Sequence, residues 1–234
     1  MDLIKNQKHI WLYFLTEFFL IIIGISVAFN LEKYVESIKN KKSELKYLIE
    51  IHEEISTELG YIEERITVNQ YRSNTNMKLI LILNSQDHSQ KDSAMHFIDI
   101  VLNFETSSKD VRVYDILVNS GEINLITNFE LKKKLGFTYG LRELVLEAQK
   151  EHKNYLRNEF LPYLGQFVDL LSIRLSKDTE TIPDIDWIFR KDFKNKIYFN
   201  NILLYSKDDF YQLEYKAYKE TKTLLDEEIK RLTH

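Results

Sequence analysis

From Ile10 to Leu31 the chain reads IWLYFLTEFFLIIIGISVAFNL, 22 residues with a single formal charge. As a helix rising 1.5 Å per residue, that run is roughly 33 Å long and matches a bilayer hydrocarbon core of about 30 Å. Trp11 and Tyr13 sit at one end, where amphipathic rings favour the headgroup layer. The next longest apolar run is only Leu79 to Leu83. The pattern predicts a transmembrane helix over residues 10–31, preceded by a short tail over 1–9. A cleavable signal peptide would use Ser26-Val27-Ala28 as its small-residue site. Its apolar region, however, normally covers only about 7–15 residues, and here Glu17 interrupts it.

Beyond the apolar run the spacing becomes a heptad. Leu31, Ile38, Leu45, His52, Leu59 and Ile66 occupy position a. Tyr34, Lys41, Leu48, Ile55, Ile62 and Asn69 occupy position d, and nine of the twelve are apolar. Extended backwards, the same frame places Glu17 and Gly24 at a, with Leu20 and Val27 at d. Anchor and stalk therefore read as one continuous helix, with the stalk over residues 32–73. Its seam has two outlets: a second copy in a parallel coiled coil, or cover from later helices of the same chain. Tyr47, Ile49 and Ile51 lie off the seam, so the two outlets are compatible.

Residues 74–234 read as a helical domain packed on the stalk. Short helices are expected over about Thr75–Asn84 and Asp92–Phe104, with a polar loop around Ser85–Lys91. A further segment starts near Asp110 and stops at Ser120-Gly121, where Gly is the expected terminator. Asn128 is the expected N-cap of a long helix whose inner stripe is Leu131, Leu135, Thr138, Leu141, Val145, Ala148, His152 and Tyr155. Pro162 should kink or restart that helix, and Ile182-Pro183-Asp184 marks another break. The last helix is expected from near Ser206, with Asp209 as a capping-box partner and a stripe from Phe210 and Leu213 to Leu232. No alternating apolar run bounded by hairpin turns appears. The fold class is all-α: a transmembrane helix continuing into a long stalk that packs in an antiparallel helical bundle.

Composition narrows the function. The 234 residues include 6 Gly, 2 Pro and no Cys, which excludes a disulfide framework, a thiolate metal site and a thiol nucleophile. The net charge of −4 comes without a basic stripe, so nucleic acid is not an expected partner. There is no Gly-rich phosphate loop, G-x-S-x-G, H-E-x-x-H or dinucleotide fingerprint. Gly136 and Gly140 form a G-x-x-x-G, which on a helix permits close packing. Asp92 with His96, and Glu147 with Glu151 and His152, share helix faces. A bundle metal site needs the Glu-x-x-His pairing on two helices, and that pairing is missing. His52 and His152 fall on apolar stripes and read as satisfied interior histidines. The expectation is no catalytic residue, metal or cofactor. The 14 Tyr, 14 Phe and 2 Trp fall mostly on helical stripes, where such rings are core.

Two groups of residues stand out. Glu17 is a carboxylate within an apolar span, where it calls for a partner or the nearby headgroup layer. With Gly24 and Ala28, a small-xxx-small pair, it is a candidate for helix packing in the membrane. The second group is a corner between helices. Tyr114, Leu117, Ser120 and Gly121 end one helix, Leu125-Ile126 plugs the core, and Asn128 opens the next. The alternative use of this corner is an elbow presenting Ser120, Asn124 and Asn128 to a ligand.

The stretch Tyr114-Asp-Ile-Leu-Val-Asn-Ser-Gly121 through Leu135 and the segment Thr16-Glu17 through Asn30 together resemble an uncharacterised family of Bacteroidetes-type single-pass membrane proteins. Its members carry an apolar anchor with Gly and Glu, a charged helix, a Y-x-x-L-x-x-S-G…L-I-x-N-x-x-L core and a helical tail. Asp192-Phe-Lys-Asn195 and Leu224 through Leu232 are similar too, whereas Thr16 stands where the family commonly has Gly. The resemblance implies a bacterial inner-membrane protein and brings no activity. Lys33, Lys39, Lys41, Lys42 and Lys46 after the span argue for a cytoplasmic domain; the short basic arm of Lys5 and Lys8 permits the opposite topology. The sequence thus points to a membrane-anchored helical interaction or scaffold protein. Its partners would be the lipid bilayer and a second copy, or a partner membrane protein met through anchor and stalk. The alternative is a tethered, sensor-like ligand-binding domain acting through a partner.

Overall fold

A computed structural model describes residues 2–103, 112–168 and 186–233. Its backbone is all-α, with no strand among the described residues. The first helix, α1 (Asp2–Ser85), runs 84 residues without a break, about 126 Å at 1.5 Å per residue. The anchor segment and the heptad stalk are therefore one rod, as their shared frame predicts. The expected break near residue 74 is absent. Ser73, Thr75 and Asn76 look like turn residues, but their side chains are buried and used inside the bundle. Thr75 Oγ1 donates back to the Tyr71 carbonyl at 2.9 Å, and Asn76 Nδ2 donates across to the Ile197 carbonyl at 3.2 Å.

After a turn at Gln86 and a short 3-10 segment, α2 (Lys91–Leu102) packs back on α1 at its far end. Asp110 and Phe104 lie outside the described residues. The segment α3 (Val113–Ser120) then descends toward the base of the bundle, where Val113 meets Glu54 and Glu122 meets Tyr47. Gly121 ends it in the left-handed region at φ 77°, where a Cβ would be strained. Asn128 caps α4 (Phe129–Tyr155) through its side-chain oxygen, which accepts from the Leu131 N–H at 3.1 Å. Such a cap is worth about 1 kcal/mol. All eight residues of the predicted α4 stripe, from Leu131 to Tyr155, are buried.

The helix loosens at Leu156–Phe160 into a single π turn before α5 (Leu161–Leu164), with Pro162 in the first turn of the restart. Ile182-Pro183-Asp184 lies outside the described residues. The final helix, α6 (Lys191–Thr233), is 43 residues long. It starts 15 residues before the expected Ser206, which sits mid-helix. Of the expected stripe Leu213 alone is exposed, and Tyr211, Glu214 and Tyr218 face inward beside Ala217, Thr221, Leu225 and Leu232.

Among the described residues the bundle thus has three long helices. The helix α4 runs parallel to α1, because Thr127 meets Glu44 at the base and Tyr155 reaches the carbonyl of Lys196 at the top. The helix α6 runs antiparallel to α1, with Ile197 opposite Asn76 and Asp226 opposite His52. Two apolar cores result. The basal one centres on Leu48, Ile55, Leu117, Ile126, Leu135 and Leu225, and the distal one on Leu83, Ile98, Phe160, Ile188 and Phe193. Packing of α1 begins at Glu44, and every residue from Leu15 to Lys42 is exposed.

Candidate functional site

Three features of the chain are candidates for function: the bare part of α1, a charged layer inside the bundle, and a groove near the π turn. The bare part carries the predicted packing residues. Glu17, Gly24 and Ala28 are all exposed, and a Cβ built at Gly24 would meet nothing within 4 Å. Among the described residues, α1 alone is long and apolar enough to cross a membrane, and none of its apolar window is buried. Above that window Leu31, Tyr34, Val35 and Ile38 stay exposed, in steps of three, one and three.

The predicted corner makes most of its contacts within the bundle. Tyr114 stacks on Tyr139, with ring centroids 4.3 Å apart and planes 8° from parallel. Its hydroxyl lies 3.3 Å from where a Cβ would stand on Gly136, so that glycine makes room for the ring. Leu117 and Ile126 are fully buried in the basal core. Ser120 Oγ donates to the Leu117 carbonyl, and Asn128 Nδ2 donates to Glu228 at 2.9 Å. Asn124, the third residue of the ligand-elbow alternative, is exposed.

Between the two apolar cores lies a layer that the sequence did not announce. Arg65 on α1 donates to Glu58 at 3.0 Å and to Glu214 on α6 at 3.2 Å. Arg142 on α4 approaches the same two carboxylates at 3.4 and 3.6 Å, and Arg112 at the start of α3 stands 3.6 Å from Glu58. Arg112 also donates to the Tyr218 hydroxyl. Glu54 closes the network by accepting from Tyr139 Oη at 2.7 Å and from the Val113 N–H at 2.8 Å. Glu214 is fully buried, and that burial pushes its carboxyl pKa up against the pull of Arg65 and Arg142. Burial likewise raises the Tyr218 phenol, to about 12. Four helices meet in this layer. Its charge pairs tie α1, α3, α4 and α6 to one another.

One level higher the interior is polar again. His152 Nε2 donates to Asn200 Oδ1 at 2.9 Å, Asn200 Nδ2 donates to Asn76 Oδ1 at 3.0 Å, and Asn76 passes the chain to the Ile197 carbonyl. Each donor has one acceptor, so the direction of the chain fixes the imidazole tautomer. Burial, reinforced by the charges of Lys207 and Arg72, lowers the His152 pKa to about 3. His52 sits 2.9 Å from Asp226 at the side of the bundle. Among the described residues no three His, Asp or Glu side chains are grouped to hold a metal ion.

The groove, about 550 Å³, lies between the upper parts of α4 and α6. Glu147, Glu151 and Glu159 give it a negative rim with Lys150 among them, and Tyr155, Phe199 and Leu203 form its apolar floor. It borders the π turn, a kind of irregularity often found at functional sites. The periodicity of α4 placed the Glu147–Glu151 pair on one face, but the groove needs Phe199 and Leu203 from α6. No family, curated protein or solved structure matches the chain.

Proposed function

We propose that this chain is a membrane-anchored helical interaction or scaffold protein without catalytic activity, which self-associates or meets a partner membrane protein through its anchor and stalk, above all the bare neck at 31–42. The observation that carries the proposal is the bare stretch Leu15–Lys42, 28 residues of helix with no cover from the rest of the chain. Water does not tolerate so long an exposed run of Phe, Leu and Ile, and a bilayer supplies the missing cover. The family resemblance supports a bacterial inner membrane as that bilayer. Carbonate extraction of membranes from cells making the full chain should leave it in the pellet, unprocessed. Release of the intact polypeptide into the supernatant would sink the proposal.

The groove favours a second reading, a sensor-like domain that binds a small ligand and acts through a partner chain. Its acidic rim over an aromatic floor suits a small organic amine. Spermidine added to the detergent-solubilised full chain should then raise the unfolding temperature, and the gain should vanish with Glu151→Gln. An unchanged unfolding temperature over the same titration removes this reading and leaves the first intact.

A further inference from the structure

The neck of α1 has an apolar side that its own bundle does not use. Where α1 packs on the rest of the chain, it does so through Glu44, Leu48, Ile51, Ile55 and Ile62. At 100° per residue, Leu31, Tyr34, Val35 and Ile38 centre about 120° away from that side. The residues that continue the bundle-facing side down into the neck are Lys33, Ser37 and Asn40, all polar. The neck stripe therefore lies to one side of the buried face: Leu45, one heptad past Ile38, reaches the basal core half-buried, whereas Leu31, Tyr34, Val35 and Ile38 have no cover from the bundle. Followed into the anchor, its line passes through Gly24, Leu20 and Glu17, in steps of seven, four and three. An apolar stripe outside the lipid and the small and charged residues inside it fall on one line of one unbroken helix.

We propose that this line docks against the same line of a second copy of the chain, parallel and side by side; the proposal rests on the anchored reading above. Four neck side chains cover too little surface for a stable interface, which needs about 1,600 Å² in the standard case. The occupant must therefore follow the line across the lipid boundary as a continuous helix of the same direction. A second copy meets every term of that description, because the bilayer holds its anchor parallel and brings the same stripe to the same height. Gly24 lets the two backbones approach. Lys41 and Lys42 come just beyond Ile38, and their mutual repulsion parts the helices where the two bundles need room.

The chain has no cysteine, so single cysteines report cleanly. In native membranes under mild oxidation, full chains with Val35→Cys or Ile38→Cys should form disulfide-linked dimers at least fivefold more than chains with Lys33→Cys, Ser37→Cys or Asn40→Cys. Gly24→Phe should lower the Ile38→Cys yield severalfold, whereas Ile22→Phe, on the opposite side of the helix, should not. Equal yields at all five positions, no dimer at any, or adducts only with a different protein would each overturn the proposal. Carbonate extraction of the same membranes separates the two failures. A released chain defeats the anchor and the pairing together, and a retained chain without the positional pattern defeats the pairing alone.

Discussion

Replacing Glu214 with Leu should destabilise the bundle by about 3–5 kcal/mol, because it leaves Arg65 and Arg142 facing a single carboxylate in the interior. Glu214 is fully buried and hydrogen-bonded by Arg65 at 3.2 Å, so solvent does not screen the loss. The native layer sets three guanidiniums against Glu58 and Glu214; the variant sets the same three against Glu58 alone. Thermal unfolding of the detergent-solubilised protein, followed by circular dichroism, should show a large drop in midpoint. The double variant Arg142→Met with Glu214→Leu removes one charge of each sign. Its loss should fall short of the sum of the two single losses by about 1–3 kcal/mol. A Glu214→Leu protein within about 0.5 kcal/mol of the parent would mean that the layer contributes no charge pairing to stability.

That layer also explains what the sequence hid. The α4 stripe was legible because its inward positions are Leu, Val, Ala and Tyr in steps of three and four, with Thr138 and His152 as the exceptions. Gly121 and Asn128 were legible because a left-handed stop and a cap demand particular residue types. The helix α6 resisted because Asn200, Lys207 and Glu214 interrupt its inward stripe of Phe193, Ile197, Leu204 and Tyr211. A search for apolar repeats then starts the helix too late, at Ser206. Polar Asn200, Lys207 and Glu214 alternating with Leu204, Tyr211 and Tyr218 at the spacing of a core stripe would have been the signal. The false break near residue 74 has the same origin, since Asn76 is a turn former by type but an interhelical donor in place. The heptad frame describes what the chain covers only from Glu44 onward: below that point the apolar side is bare, and above it the chain covers its own seam. Leu48, an attractive position for crosslinking two stalks from spacing alone, is fully enclosed by its own bundle.

Acid should act through His152. Unfolded, an imidazole binds a proton near pH 6.5; folded, this one resists until about pH 3, because burial and the nearby Lys207 and Arg72 charges disfavour the cation. The unfolded state therefore binds more protons throughout that window, and stability falls as the pH drops through it. The slope is about 1.4 kcal/mol per pH unit, so the interior is weakened by roughly 3 kcal/mol at pH 4.5 relative to neutrality. Above pH 6.5 the group is neutral in both states and contributes no slope. His152→Gln keeps a donor for Asn200 Oδ1 and removes the titration. Denaturant midpoints taken from pH 7.5 to 4.5 should fall steeply for the parent and less steeply for the variant, with the two curves converging in acid. Parallel curves would show that His152 is protonated in the folded bundle as readily as in water, which the closed chain through Asn200 and Asn76 to the Ile197 carbonyl does not allow.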